Sequence, residues 1–389
     1  MLPRFGEANH HIDQAFVQGT FPGIFYEFAE LMQSGFGPAG KEVFIGDVGF
    51  RRSDFASLDE SALLQRMMRK RWPGMHPELL PFAQDGVGNR FCFIVPTDEA
   101  ATGRRPIAYW MYETYRAVPI ASSFRHFLHW VAMRTLETVE RGVDPHIDRE
   151  HLDSVVQPVM DELDLSSDMQ DSMRTVRTPL VTTHAGMLEL DPGSPGTLLA
   201  EAARELRRSN TERAEHYAKR AVMNFHRFAA AHSFLAEIEG ARAGTNEQLR
   251  HLLQTLASPL CYAGDPQMPG MQDVPEIELN RVVHAIIQHE GKEAFTGFEP
   301  IRDLIDLDNP EDAAAWMRSA LDYAEQGELD SAIDLASNAL FLAWNPTLTE
   351  DALTLLEELY ELADSKLHLD IVRADQRQEY ATPARRHHR

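Results

Sequence analysis

The sequence predicts an α+β domain, a small mixed sheet with flanking helices, followed by an all-α domain built from helical repeats. Three observations predict it. Residues 79–131 carry two short apolar segments with strand-like alternation, bounded by turn residues, and then an amphipathic stretch. Residues 195–262 and 313–346 space small residues as closely packed helix pairs require. Between them, 136–194 shows neither pattern as a whole and ends on the turn-rich LDPGSPG at 190–196. The expected domains are therefore 1–140, a linker with one helix at 141–194, and 195–389.

Length and composition set the class. A chain of 389 residues is long enough for two sizeable cores, and 43% hydrophobic with 25% charged content suits a soluble globular protein. No apolar run approaches the roughly 18 residues of a membrane span. The start, MLPRFGEANHHIDQ, has no basic-then-apolar secretory pattern. Two cysteines, Cys92 and Cys261, are too few for a disulfide framework or a zinc knuckle and suit a reducing cytoplasm. A cytoplasmic protein is expected.

Along the first half, PGIFYEFAELMQSG (22–35) places Phe25, Phe28, Leu31 and Met32 on one helical face. KEVFIGDVGF (41–50) alternates as one strand running into a Gly-containing turn, and a helix over Glu60–Arg71 precedes the breaker WPGMHP. Two strands follow, Asn89–Val95 and Pro106–Glu113, joined by the charged loop 96–105. Ile120–Leu136 reads as a helix with Ser122 or Ser123 as N-cap and an apolar face of Phe124, Phe127, Leu128, Val131 and Thr135.

The succession PFAQDGVGNRFCFIV, PIAYWMYE, IASSFRHFLHWV resembles the SUKH superfamily over about residues 20–135. Its strongest elements are the Pro-Phe-Ala-x-Asp-Gly-x-Gly-Asn loop at 81–89 and the Ser-Phe-x-x-Phe-Leu segment at 123–128, whereas GFGPAGKEVFIGDVGF is an unremarkable match. That superfamily includes a fungal cell-wall synthesis regulator and many bacterial immunity proteins. The resemblance implies a non-enzymatic α+β binding module of the kind that neutralises secreted toxins, often nucleases or deaminases.

Candidate partner-binding residues follow from chemistry. Gly86 and Gly88 allow positive φ, and Asp85 and Asn89 can hold the turn through side-chain to backbone bonds. Tyr109, Trp110, Tyr112 and Tyr115 are amphipathic aromatics of the kind that anchor interfaces. Alternation puts Tyr109 and Met111 on one face and Trp110 and Tyr112 on the other, so one pair is expected in the core. The candidate set is Asp85, Gly86, Gly88, Asn89, Trp110, Tyr112 and the adjoining Glu113.

In the second half, residues 313–346 resemble a tetratricopeptide repeat. Trp316, Ala320, Tyr323, Gly327, Ala332 and Ala339 fall at positions 4, 8, 11, 15, 20 and 27 of a 34-residue unit. A second copy at 195–228 has Leu198, Ala202, Ala214, Ala218 and Ala221 at positions 4, 8, 20, 24 and 27. A degenerate unit at 229–262 uses Leu235, Ala236 and Leu252 and ends at Pro259, and Glu350–Ala363 is expected to cap the array. Stacked pairs leave a groove suited to a peptide or a helix. The Pro/Met-rich segment 258–278 reads either as a bridge between halves of the array or as a contact surface.

Chemistry other than binding is not encoded in any recognisable pattern. In HIDREH (146–151), His146 and His151 lie five apart, out of phase on a helix, as do His284 and His289. DGVGN lacks Gly-Lys-Ser/Thr and runs into a strand, so it is no phosphate cradle. GxSxG is absent, and the pairs His10-His11 and His387-His388 read as solvated tails. No metal, cofactor or catalytic residue is expected. The basic run RMMRKR (66–71) reads as a solvated helix face able to dock on the acidic half and orient the domains.

Charge is uneven. Residues 1–150 hold 16 Lys/Arg against 19 Asp/Glu, and the other 239 hold 21 against 41, so net −20 of the total −23 lies in the second part. That half repels nucleic-acid phosphates and attracts basic proteins. The expected function is non-enzymatic protein binding, most concretely immunity to a basic nuclease or deaminase toxin, with an adaptor joining two partners as the alternative.

Overall fold

The computed structural model describes residues 42–45, 48–51, 75–84, 89–97, 106–124, 126–127, 130, 187–241, 246–264, 273–289, 298, 301, 304 and 310–376. The expected helices at 22–35 and 60–71, the basic run 66–71, the loop 98–105, the segment 131–186 and both histidine tails lie outside them.

Among the described residues there are six strands, β1 (Glu42–Ile45), β2 (Val48–Arg51), β3 (Leu79–Gln84), β4 (Arg90–Ile94), β5 (Ile107–Trp110) and β6 (Ala117–Ala121). β1 and β2 form an antiparallel hairpin, so the single strand expected at 41–50 is in fact two. The other four pair in the order β3-β4-β5-β6. Every pairing is antiparallel, where a mixed sheet was expected. Short connections explain this, because antiparallel neighbours need only a turn whereas parallel ones need a long crossover.

Two of these strands were not foreseen. β3 has no counterpart among the strands expected above, and β6 overlaps the expected helix Ile120–Leu136 at Ile120 and Ala121. Both contain proline, which lacks the N–H a central strand requires, and both prolines, Pro81 and Pro119, sit on the edge strands where that lack is tolerated. Each pairing also carries a register shift, at Pro81/Ala83 and at Ile107/Ala108. Helix begins later, at Phe124, where Ser123 Oγ accepts from the His126 amide at 3.3 Å, so of the two expected caps Ser123 serves. Phe124, Phe127 and Trp130 then cover one sheet face, with Phe91 5.1 Å from Phe127 and Phe93 5.8 Å from Phe124 between ring centroids.

Among the described residues the second half contains helices α1 (Pro195–Arg207), α2 (Thr211–Asn224), α3 (Ala229–Gly240) and α4 (Asn246–Ala257), then one 3-10 turn at Leu260–Tyr262. There follow α5 (Leu279–Ile287), α6 (Ala313–Glu325), α7 (Leu329–Leu342), α8 (Pro346–Leu362) and α9 (Lys366–Gln376). Sequence signals mark the starts. Ser194 and Asn345 cap α1 and α8 with proline directly after each, and Asp312 caps α6. The spaced residues are where the packing needs them. Ala202, Ala214, Ala218 and Ala221 are fully buried at the α1–α2 contact, as are Ala320, Ala332 and Ala339 at α6–α7. Small side chains let those backbones approach closely.

Three hairpins close in the same way. After α1, α6 and α8 the chain enters the left-handed region at Ser209 (φ 62°), Gly327 (φ 83°) and Asp364 (φ 52°). The following amides then reach back five residues, Asn210 to the Glu205 carbonyl at 2.9 Å, Glu328 to Tyr323 at 3.0 Å and Ser365 to Tyr360 at 3.0 Å. This closure satisfies carbonyls that the helix end would leave open. The helical region is thus consistent with a repeat domain. The single cap expected at Glu350–Ala363 is instead one half of the α8–α9 hairpin.

Candidate protein-binding site

β4, β5 and β6 are buried along their whole length, residue after residue. Alternation therefore did not separate a wet face from a dry one. The helical segment from Phe124 covers one face and the helical array reaches the sheet elsewhere. Tyr109 and Trp110, on opposite faces, are 1% and 0% exposed. A strand covered on both sides reads as a continuous apolar run.

The array grips the sheet at several points. Ser194 Oγ donates to the Ile120 carbonyl at 2.7 Å, and Asp191 accepts from the amide and hydroxyl of Ser122 at 2.8 and 2.7 Å. Gly196 lies so close to β6 that an added Cβ would sit 2.8 Å from the Pro119 carbonyl oxygen. His368 on α9 donates through Nε2 to the Val95 carbonyl at 2.7 Å, while Ser365 Oγ lies 2.7 Å from its Nδ1. Thr97 Oγ1 bonds Asp330 at 3.0 Å.

At the centre of this seam is a buried ion network. Arg227, between α2 and α3, bonds Asp334 of α7 through Nε at 2.9 Å and through Nη2, and reaches Glu78 through Nη1. Tyr262 donates its hydroxyl to Glu78. Burial opposes ionisation of Glu78, but the Arg227 charge, the nearby His76 and these hydrogen bonds overcome it and hold the carboxyl at about 2. For Asp334 burial prevails over the same guanidinium and raises it to about 7, because one cation cannot neutralise two desolvated acids. Among the described residues, Arg227 and Arg116 make contacts that orient the sheet on the array.

These contacts leave the β5–β6 turn, residues 111–116, at the margin. The Met111 amide donates to Arg116 O at 2.8 Å and the Tyr115 amide to Met111 O at 2.9 Å, which closes the turn. Tyr115 takes φ 60°, an uncommon conformation for an aromatic residue, and its ring meets Trp110 edge-on at 5.9 Å. Arg116 anchors the far side, to Gly264 O at 3.2 Å and to Glu276.

The candidate residues separate accordingly. Asp85, Gly86 and Gly88 lie outside the described residues. Asn89 is buried, its Nδ2 donating to the Tyr109 hydroxyl at 2.9 Å and its Oδ1 accepting from the Tyr112 amide at 3.3 Å. Trp110 is core. Tyr112 is half-buried with its hydroxyl 2.9 Å from Glu113 Oε1, and Glu113 is exposed. The accessible pair of the described candidates is therefore Tyr112 and Glu113, held in place by Asn89 from below.

A Ser–His–Asp grouping that sequence reading did not find lies at the same seam. Ser122 Oγ is 2.9 Å from His126 Nδ1 but bonds Asp191 directly, and His126 is 3.8 Å from that carboxylate. In a hydrolytic triad the histidine stands between serine and acid. Here both address one hydroxyl, beside a cavity of only about 10 Å³. The grouping fastens β6 to the array. Among the described residues no group of three or more His, Cys, Asp or Glu could hold a metal. Cys92 and Cys261 are both buried, and neither forms a disulfide. No described helix is long and apolar enough to cross a membrane.

The described residues form a small antiparallel α+β unit packed against helices, with an aromatic and acidic turn at its margin. Residues 14–130 match the model of the SMI1 / KNR4 family (SUKH-1), and this segment of the chain is a SUKH domain. The family is non-catalytic and acts through protein–protein contacts, which supports a protein-binding module at this end of the chain. No curated protein matches the chain.

Proposed function

We propose that the chain is an immunity protein that neutralises a toxin by direct binding, with the β5–β6 turn as the principal contact. The family match over residues 14–130 carries this reading, and half-buried Tyr112 beside exposed Glu113 on a strained turn supports the turn as the contact. Net charge of −23 favours a basic partner such as a nuclease or deaminase, through faster encounter and burial of its active face. Co-expression with toxins encoded by adjacent genes tests it. Rescue of growth, lost on Tyr112→Ala combined with Glu113→Lys while the fold is retained, is the expected result. If no neighbour's product is neutralised or captured, the reading fails.

An adaptor joining two partners is the second reading. The seam between sheet and array favours a version in which the two surfaces are held at a fixed separation. Pulldowns with the full chain carrying turn variants, compared with variants in the helical array, discriminate, since an adaptor loses different partners in each case.

A further inference from the structure

A groove of about 280 Å³ opens in the array where α3, α4 and α5 meet. Phe234, Leu252 and Val282 form its floor and are all buried. Three carboxylates, Glu237, Glu276 and Glu278, stand exposed around it, against one exposed cation, Arg281. Its volume lies just below the roughly 300–1,000 Å³ of sites that enclose whole small molecules, so it suits one or two side chains.

We propose that this groove takes a basic side chain, lysine or arginine, presented by an extended segment of a partner protein. Such a side chain is itself two-part, with an aliphatic stem and a cationic head. Its stem lies on the Phe234–Leu252–Val282 floor, and its head meets Glu237 and Glu278 at the rim. A purely apolar occupant would gain nothing from Glu237 and Glu278, and an anionic one would be repelled by them, while Glu276 is already paired with Arg116. Both lose to a cation with an apolar stem.

Position adds a second argument. Glu276, on the rim, is the residue that Arg116 grips from the β5–β6 turn, and Gly264 next to the groove accepts from the same guanidinium. The 263–277 closure that shapes this edge is tight: Ile277 N bonds Ala263 O at 2.9 Å, and Gly264, at φ 78°, has no room for a Cβ against Pro275 O. A partner seated on Tyr112 and Glu113 would therefore extend directly across Arg116 into the groove. The inference extends the binding reading above, and its test is independent of the turn and of any toxin.

The test uses the full chain and two fluorescein-labelled hexapeptides, Ala-Arg-Leu-Lys-Leu-Ala and its acidic counterpart Ala-Glu-Leu-Glu-Leu-Ala, followed by anisotropy. The basic peptide is expected to bind saturably and the acidic one not. Glu237→Gln with Glu278→Gln should weaken binding about fivefold, as expected for two exposed charges. Ser233→Trp, which plugs the groove from α3, should abolish it, and Arg281→Ala should tighten it about twofold. Absence of saturable binding, preference for the acidic peptide, weakening by Arg281→Ala, or indifference to both the Ser233 and the glutamate variants would overturn the proposal. Saturable basic-peptide binding by a chain that rescues no toxin would fail the immunity reading and leave the groove standing, and rescue without peptide binding would do the reverse.

Discussion

Glu78 and Asp334 approach a single guanidinium, that of Arg227, from opposite parts of the chain, one before the first strand of the sheet and one inside α7. All three are nearly removed from water, with side chains 3%, 10% and 13% exposed. Removing the shared cation strands two desolvated acids. Arg227→Met should therefore cost about 3–5 kcal/mol, the range for breaking a buried ion pair. A loss under about 1 kcal/mol in urea unfolding would show that the network is not buried in solution.

The same pair sets a pH profile whose two limbs have different owners. Glu78 is lowered from 4.5 to about 2, so its contribution is complete above about 4.5 and disappears as pH falls toward 2. Asp334 is raised from 3.8 to about 7, so its contribution is complete below about 3.8 and is lost as pH rises through 7. His232, lowered to about 4 chiefly by burial, adds to the acid-side loss between about 6.5 and 4. Comparing the wild type with Asp334→Asn isolates one term. The difference in unfolding free energy should shift in favour of the wild type on acidification from pH 7 to pH 4, by a few kcal/mol at most. A difference that is flat with pH would refute the assignment.

Turn closure gives opposite signs at equivalent places. Gly327→Ala should destabilise by about 1 kcal/mol, because alanine is strained at φ 83°. Ser209→Gly and Asp364→Gly occupy the same place in their hairpins and should be neutral to about 1 kcal/mol stabilising, since relief of strain opposes the added freedom of the unfolded chain. Thermal midpoints that moved the same way in all three would break the proposed equivalence of the hairpins.

Adding one methyl group at the sheet–array seam should be felt. Gly196→Ala puts a Cβ 2.8 Å from both the Pro119 carbonyl oxygen and Val118 Cγ1, and a backbone oxygen cannot rotate away. A cost of about 1–3 kcal/mol is expected, as for overpacking. Proteolysis between sheet and array would accelerate with it, and an unchanged digestion rate would contradict the contact.

Trp110 and Tyr112, two residues apart, should behave as different kinds of residue. Trp110→Ala removes a wholly buried ring at about 3–5 kcal/mol, whereas Tyr112→Ala should change stability by less than about 1 kcal/mol and reduce partner capture. Equal losses of stability would remove Tyr112 from the candidate surface.

What the sequence made legible were local patterns. Alanine spacing located the helix pairs, Ser194, Asp312 and Asn345 marked helix starts, and the Asn89 turn with its flanking apolar segments located β4 and β5. The end of β6 was misread because Ile120 and Phe124, four apart, fit helical spacing as well as strand alternation, and only pairing with β5 decides between them. Burial of Trp110 was not legible either, since alternation along β5 does not say that both faces of the strand are covered. The Glu78–Arg227–Asp334 network and the groove at Glu237 have no periodicity at all. Each is assembled from residues far apart in the chain that become neighbours only after the array folds.

An open helical solenoid can gain or lose a unit and remain a solenoid. This one cannot, because the sheet is fastened to it near α1, at Arg227, at Tyr262, on α7 and on α9. The sheet acts as a ruler laid across the repeats: its width fixes how many helix pairs fit between the first fastening and the last, and a duplicated unit would leave every later contact out of step.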